Sequence, residues 1–253
     1  MRAGSAVPRL SRRRPREPSE HSLLAYPGRD IAVTAVVVLL TGVVFAAVAG
    51  RGTLTFVQRL DDTWLRLMSA NQSGPGTSVA LLLNRLGFVY ITLPVRLAVA
   101  GFLVLRRRWW HLTAFVAAVA VSEILIGQVK AGYDRGRPPG SLVGTTGASF
   151  PSGHAVAASV TVVAAVIVLV PPGRLRAWWG VVAVAFSTVM ALSRAYLGAH
   201  WLTDALAGAL LGTSCALVSM CVVGALQNRF GEQELAPPGA GPTIGVTLPE
   251  DRR

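Results

Sequence analysis

Apolar residues gather into six runs along the chain, at about 31–50, 83–105, 111–130, 153–171, 177–194 and 200–225, with short polar stretches between them. Each run approaches or exceeds the roughly 20 residues that cross hydrocarbon as a helix. The pattern predicts an all-α fold, an integral membrane bundle of six transmembrane helices over residues 31–226. Tails at 1–30 and 227–253 flank it. Two intervening stretches have their own character. In "TLTFVQRLDDTWLRLMSANQSGPG", Val57, Leu60, Trp64 and Leu67 recur at helical spacing among polar neighbours, which predicts an amphipathic helix lying on the outer membrane surface. The Gly/Pro/Ser end of that stretch reads as a turn. Between the third and fourth runs, "KAGYDRGRPPGSLVGTTGASFPSGH" is too polar for lipid and rich in Gly and Pro, so it is a loop.

Composition sharpens this picture. The 253 residues are 52% hydrophobic and 14% charged, which excludes an ordinary soluble domain. The formal charge of +12 is almost all arginine, and its placement matters more than its size. Arg106, Arg107 and Arg108 follow the second run, and Arg174 and Arg176 follow the fourth. The amino-terminal tail "MRAGSAVPRLSRRRPREPSE" is basic and unpatterned. The positive-inside rule assigns all of these to the cytoplasm, and an even number of spans brings the carboxyl tail with Arg229 there too. Both tails have the composition of disordered segments, the first one beside anionic lipid rather than nucleic acid. The first run ends in "AAVAG", similar to a signal-peptidase site, but its length makes it an uncleaved anchor. Cys215 and Cys221 fall on different faces of the last run and read as packing residues.

Three polar clusters interrupt the bundle: Lys130 to Pro138, Ser149 to Ala155, and Ser193 to Asp204. On this topology all three lie at the outer ends of spans three to six. Lys130, Arg137 and Arg194 supply three cations, two of them guanidiniums that fork onto phosphate oxygens. Lys130 is the only lysine in the chain. Ser152 and Gly153 open the fourth span, where backbone N–H groups form an anion site that glycine lets a ligand approach. His200 and Asp204, four residues apart, are expected on one face of the last helix, the carboxylate accepting from one imidazole nitrogen and freeing the other as a nucleophile. His154 is a second imidazole, suited to protonate a leaving group. Such a set performs phosphoryl transfer. No cluster groups carboxylates as a two-metal site would, so no metal and no other cofactor is expected.

Lys130/Arg137/Pro138, Pro151–Ser152–Gly153–His154 and Ser193/Arg194/His200/Asp204 together resemble the signature of the type 2 phosphatidic-acid phosphatase superfamily: K-x6-R-P, P-S-G-H and S-R-x5-H-x3-D. The resemblance is densest over residues 123–212 and departs from the signature at no motif position. It implies a membrane lipid phosphatase in which His200 becomes phosphorylated and water then releases the phosphate. His154 would serve as acid and then base, and Asp204 would orient His200. Phosphatidic acid, phosphatidylglycerol phosphate or an isoprenyl pyrophosphate would be the substrate, and the motifs do not choose among them. Transfer to a lipid or sugar hydroxyl is the alternative within the same chemistry. A transporter would need broken helices and repeats that the sequence does not display, and the spans disfavour a soluble haloperoxidase relative. The implied partners are a phosphorylated lipid and the bilayer, with the site on the extracytoplasmic face.

Other polar residues have plainer readings. His111, beside Trp109 and Trp110, is an interface anchor, and His21 lies in the tail. Asp134 and Arg135 are loop residues able to shape the site. Tyr133 and Tyr196 are interface aromatics or pocket walls. Arg96 and Glu123 fall well inside neighbouring spans at similar depth and are expected to pair or share a water network, because unpaired charges there are expensive.

Overall fold

A computed structural model of the chain describes residues 22–24, 26–50 and 54–234. The tail residues 1–21 and 235–253 lie outside the described residues. Among the described residues eight helices follow in order: α1 Pro27–Ala49, α2 Leu54–Ala70, α3 Gly74–Leu86, α4 Val89–Leu105, α5 Trp109–Gly132, α6 Gly153–Leu169, α7 Arg174–Tyr196 and α8 Leu202–Glu234. The fold is all-helical, as the apolar runs require. Among the described residues α1, α5, α7 and α8 are long and apolar enough to cross a membrane.

The other two expected spans differ from the single straight helices of the sequence pattern. The second run is a pair, α3 and α4, bent by 54° at Gly87–Phe88. Its helix begins inside the expected turn, because Ser73 caps Gly76 N–H with its hydroxyl and Pro75 suits the first turn. The fourth run, α6, has 17 residues, short of a full span by length alone. Among the described residues the six expected runs appear as four helices of spanning length, one bent pair and one shorter apolar helix.

α8 runs through the centre against α1, α5, α6 and α7. Its contact with α6 is close because Gly208 and Gly212 present bare backbone, and a Cβ on Gly208 would lie 2.6 Å from Ser152 O. α6 is correspondingly buried on several sides, from Ala155 to Val168. α1 is peripheral and seats one narrow stripe, Thr34, Thr41 and Val48. Thr41 Oγ1 meets Ser214 Oγ at 2.8 Å, and Thr34 Oγ1 meets Cys221 Sγ at 3.2 Å. At the opposite end of the bundle from the polar clusters, Leu23 and Leu24 are buried and Arg176 Nη1 donates to Leu23 O at 2.6 Å. Residues 22–24 are pinned by apolar burial, and α8 continues past 226 to Glu234.

α2 is a helix as expected, but its inward stripe is not the one the apolar spacing suggests. Val57 and Asp61 are buried and Trp64 half-buried, while Phe56, Leu60 and Leu67 face outward. Inside the bundle, Arg96 and Glu123 pair as expected, Nη1 to Oε1 at 2.8 Å, and Arg96 Nε donates to Thr161 Oγ1 at 2.9 Å.

Candidate active site

The three polar clusters meet at one end of the bundle, where α5 and α7 finish and α6 and α8 begin. Local backbone chemistry explains the spacing of the third. α7 ends at Tyr196, and Gly198 takes a φ of +63° that glycine adopts without steric penalty. The chain reverses there, so that Ala199 N–H bonds back to Arg194 O at 3.1 Å. Arg194 is thereby left in the last turn of one helix, and His200 just ahead of the next.

This reversal corrects one expectation. α8 starts at Leu202, so His200 precedes the helix and does not share a face with Asp204. His200 Nδ1 instead donates to Ser149 O at 2.7 Å. A carbonyl can only accept, so Nδ1 must carry the proton and Nε2 keeps its lone pair. Arg137 Nη1 lies 3.3 Å from that Nε2. Burial, together with the Arg137 and Arg194 guanidiniums, pushes the His200 imidazole well below its usual pKa, which keeps it neutral.

Asp204 is fully buried and acts one step behind His200. Its carboxylate accepts the Ser149 hydroxyl, Arg135 Nη1 at 2.5 Å and Trp201 N–H at 3.2 Å. The last contact reaches back over the first turn of α8, as a capping carboxylate does. Ser149 is thus the link, with its hydroxyl on Asp204 and its carbonyl on His200. Sequence reasoning quoted Ser149 within a motif without giving it a role. Asp61 was missed altogether: it accepts from Arg135 Nη2 at 2.7 Å and from Thr203 N–H at 2.9 Å. A carboxylate on an amphipathic helix signals solvent, and nothing in the sequence marked it as buried.

The second histidine sits on the first turn of α6, against the bend in the second span. A Cβ at Gly87 would overlap the His154 ring, and Phe88 packs edge-on to that ring at 4.8 Å between centroids. The break between α3 and α4 therefore makes room for His154. Three buried groups here have no hydrogen-bond partner among the described residues: Ser152 Oγ, His154 Nε2 and Arg194 Nε. Arg194 is held by its Nη1 bond to Asn84 Oδ1, which leaves Nε unused. Both imidazoles feel the same three cations, Lys130, Arg137 and Arg194.

The remaining residues are held by backbone. Lys130 Nζ donates to Ala148 O at 3.2 Å, while Arg137 donates to Gly147 O, Thr146 O, Ala148 O and Ala199 O at 2.7–3.2 Å. Ser152 N–H bonds to Asp204 O at 3.0 Å, tying the second motif to the third. Gly153 begins α6 with open space where a Cβ would stand. Tyr196 ties α7 to the start of α3 by accepting Ser73 N–H at 3.0 Å. Tyr133 packs on Phe150 and lines an open cleft of about 790 Å³ with Val48, Gln58, Arg137 and Trp201. The arrangement offers an activated imidazole, a second imidazole and three cations around unpartnered buried polar atoms, which suits a tetrahedral anion.

Residues 108–228 match the family model described as the PAP2 superfamily. An undecaprenyl-diphosphatase from Sulfolobus acidocaldarius is 25% identical over 163 residues, covering 61% of this chain and 74% of that protein. Among solved structures, a transmembrane PAP2-type phosphatidylglycerolphosphate phosphatase from Bacillus subtilis superposes with a TM-score of 0.64 at 21% identity, covering 78% of this chain and 96% of the other. LpxE from Aquifex aeolicus gives a TM-score of 0.51 at 22% identity, covering 61% and 91%.

Proposed function

We propose that this chain, a member of the PAP2 superfamily, is a membrane phosphatase that removes the terminal phosphate of a lipid phosphate monoester or pyrophosphate at the extracytoplasmic face. The observation that carries the reading is the meeting of three unpartnered polar atoms, Ser152 Oγ, His154 Nε2 and Arg194 Nε, with an imidazole whose Nε2 keeps its lone pair and faces Arg137 Nη1 at 3.3 Å. Two of the relatives above, the undecaprenyl-diphosphatase and the phosphatidylglycerolphosphate phosphatase, act on phosphorylated lipids by their names, which agrees with it.

The geometry supports the following reaction. His200 Nε2 attacks phosphorus in line, the bond from phosphorus to the lipid oxygen breaks, and His154 gives that oxygen a proton. Water then attacks the phosphohistidine, its proton passes to His154, and the P–N bond breaks to release phosphate. Lys130, Arg137, Arg194, Ser152 and the N–H groups at Gly153 hold the phosphoryl oxygens as charge spreads over them. For Arg137 this means exchanging backbone carbonyls for phosphate, because all its N–H groups are engaged. Asp204 keeps Ser149 in place and Ser149 keeps His200 in its attacking tautomer.

The test is phosphate release by purified protein in detergent with excess EDTA. Phosphatidic acid, phosphatidylglycerol phosphate and isoprenyl pyrophosphate are offered separately. Release from at least one lipid, unaffected by EDTA, is expected. No release from any of them, or release abolished by EDTA and restored by a divalent cation, would overturn the reading.

A further inference from the structure

Asp61 is placed oddly for a residue of a surface helix. It is 1% exposed while its neighbours Phe56 and Leu60 face outward at 73% and 47%. Every contact it makes leads toward the site. Oδ1 accepts Thr203 N–H at 2.9 Å, and Oδ2 accepts Thr203 Oγ1 at 2.6 Å and Arg135 Nη2 at 2.7 Å. The other arm of Arg135, Nη1, holds Asp204 Oδ1 at 2.5 Å and Thr203 Oγ1 at 2.9 Å. One guanidinium therefore bridges two buried carboxylates, from α2 and α8. The chain continues from Asp204 to the Ser149 hydroxyl and from the Ser149 carbonyl to His200 Nδ1.

We infer that Asp61 is a positioning residue for phosphoryl transfer, acting through Arg135 and Asp204 on His200. The inference rests on the proposed phosphatase reading and adds a role for α2. Charge counting gives the reason for two aspartates. With Asp204 alone, Arg135 would form a neutral pair. With both, the cluster behind His200 carries one net negative charge in a buried setting. When Nε2 bonds to phosphorus and Nδ1 keeps its proton, the ring gains a positive charge. A net anion one residue behind the ring stabilises that charge as it develops, an interaction stronger in the transition state than in the ground state. Asp61 also helps hold the second arm of Arg135, whose Nη2 donates to Gln58 Oε1 at 3.0 Å as well.

The test compares wild type, Asp61→Asn and Asp61→Glu by rapid-quench turnover on the best lipid substrate. The phosphoenzyme burst gives both an amplitude and a rate constant. In Asp61→Asn the phosphorylation rate constant and kcat should fall about 10–100-fold, with KM within about twofold and the burst amplitude kept. Asp61→Glu keeps the charge and should recover part of that loss. Arg66→Gln, exposed on the same helix, should match wild type. If Asp61→Asn is not recovered folded, Arg135→Lys tests the same bridge, since one ammonium cannot fork to both carboxylates. It should lower the rate with the amplitude kept. An unchanged rate constant in the folded variant, or a loss of amplitude alone, would overturn the inference and leave Asp61 as a fastener for α2. Inactive wild-type protein on every lipid would instead overturn the phosphatase reading itself, and this inference with it.

Discussion

Arg96 and Arg194 both stand among apolar helices, and they are finished differently. Arg96 is closed: its Nη1 meets Glu123, its Nε meets Thr161, and its Nη2 approaches Ala157 O. Arg194 is open: one arm is fixed by Asn84, and its buried Nε has no partner among the described residues. Hydrocarbon makes an unsatisfied charge costly, so a closed network is what stability alone would select. An open one near two imidazoles and two further cations fits the phosphate site proposed above. On that reading the difference separates a charge that holds helices together from a charge that holds a ligand, though each is simply an arginine in a greasy run.

The largest effects should fall on the open side. His200→Ala should take phosphate release down to background in a detergent assay. Arg194→Ala should lower kcat/KM roughly 100–1000-fold, the scale of losing one fixed donor to a developing oxyanion. Its thermal unfolding should change less than its rate does. A variant that loses stability in proportion to activity would erase the distinction between the two arginines.

On the closed side the expectation reverses. Arg96→Met should cost about 2.5–3.5 kcal/mol in unfolding free energy, the scale of one charge, here that of Glu123, left unpaired among apolar helices. Turnover by the folded fraction should stay within about twofold. The double variant Arg96→Met, Glu123→Leu should regain most of the loss. Strong loss of turnover in folded Arg96→Met would make this pair part of the site.

Much of this contrast was legible in the sequence, and the omissions have physical causes. The motif residues and the Arg96–Glu123 pair could be read because long apolar runs make every charge conspicuous and fix its depth. The link from Asp204 to His200 through Ser149 could not, because it depends on α8 starting at Leu202, after the reversal at Gly198. An i, i+4 spacing implies a shared face only where the helix already exists. Asp61 escaped for the opposite reason: on an amphipathic helix a carboxylate looks solvated, and only tertiary packing brings Arg135 and Thr203 to it. The bend at Gly87 was hidden inside a continuous apolar run, since hydropathy does not register that His154 needs the space of a side chain.

Two smaller effects sharpen the comparison further. His200 has a pKa depressed in the folded state, so the native protein resists protonation that the unfolded chain accepts. Stability should therefore fall as pH drops through the ordinary histidine value, 6.5. Thermal unfolding followed by circular dichroism at successive pH values should show this loss, and His200→Gln should reduce it. An equal loss in both proteins would assign the pH dependence elsewhere. Gly87→Ala should displace the His154 ring by about 1 Å and reduce kcat about 10–100-fold, with KM little changed. Wild-type kcat in that variant would mean the bend has slack.

The central claim is that His200 carries the phosphoryl group. It is tested most directly by alkaline quenching of the enzyme during turnover of radiolabelled lipid, followed by mapping of the label. An acid-labile, base-stable label on His200 is expected, absent from His200→Ala, which also releases no phosphate. Label on another residue, or phosphate release by His200→Ala at the wild-type rate, would contradict it.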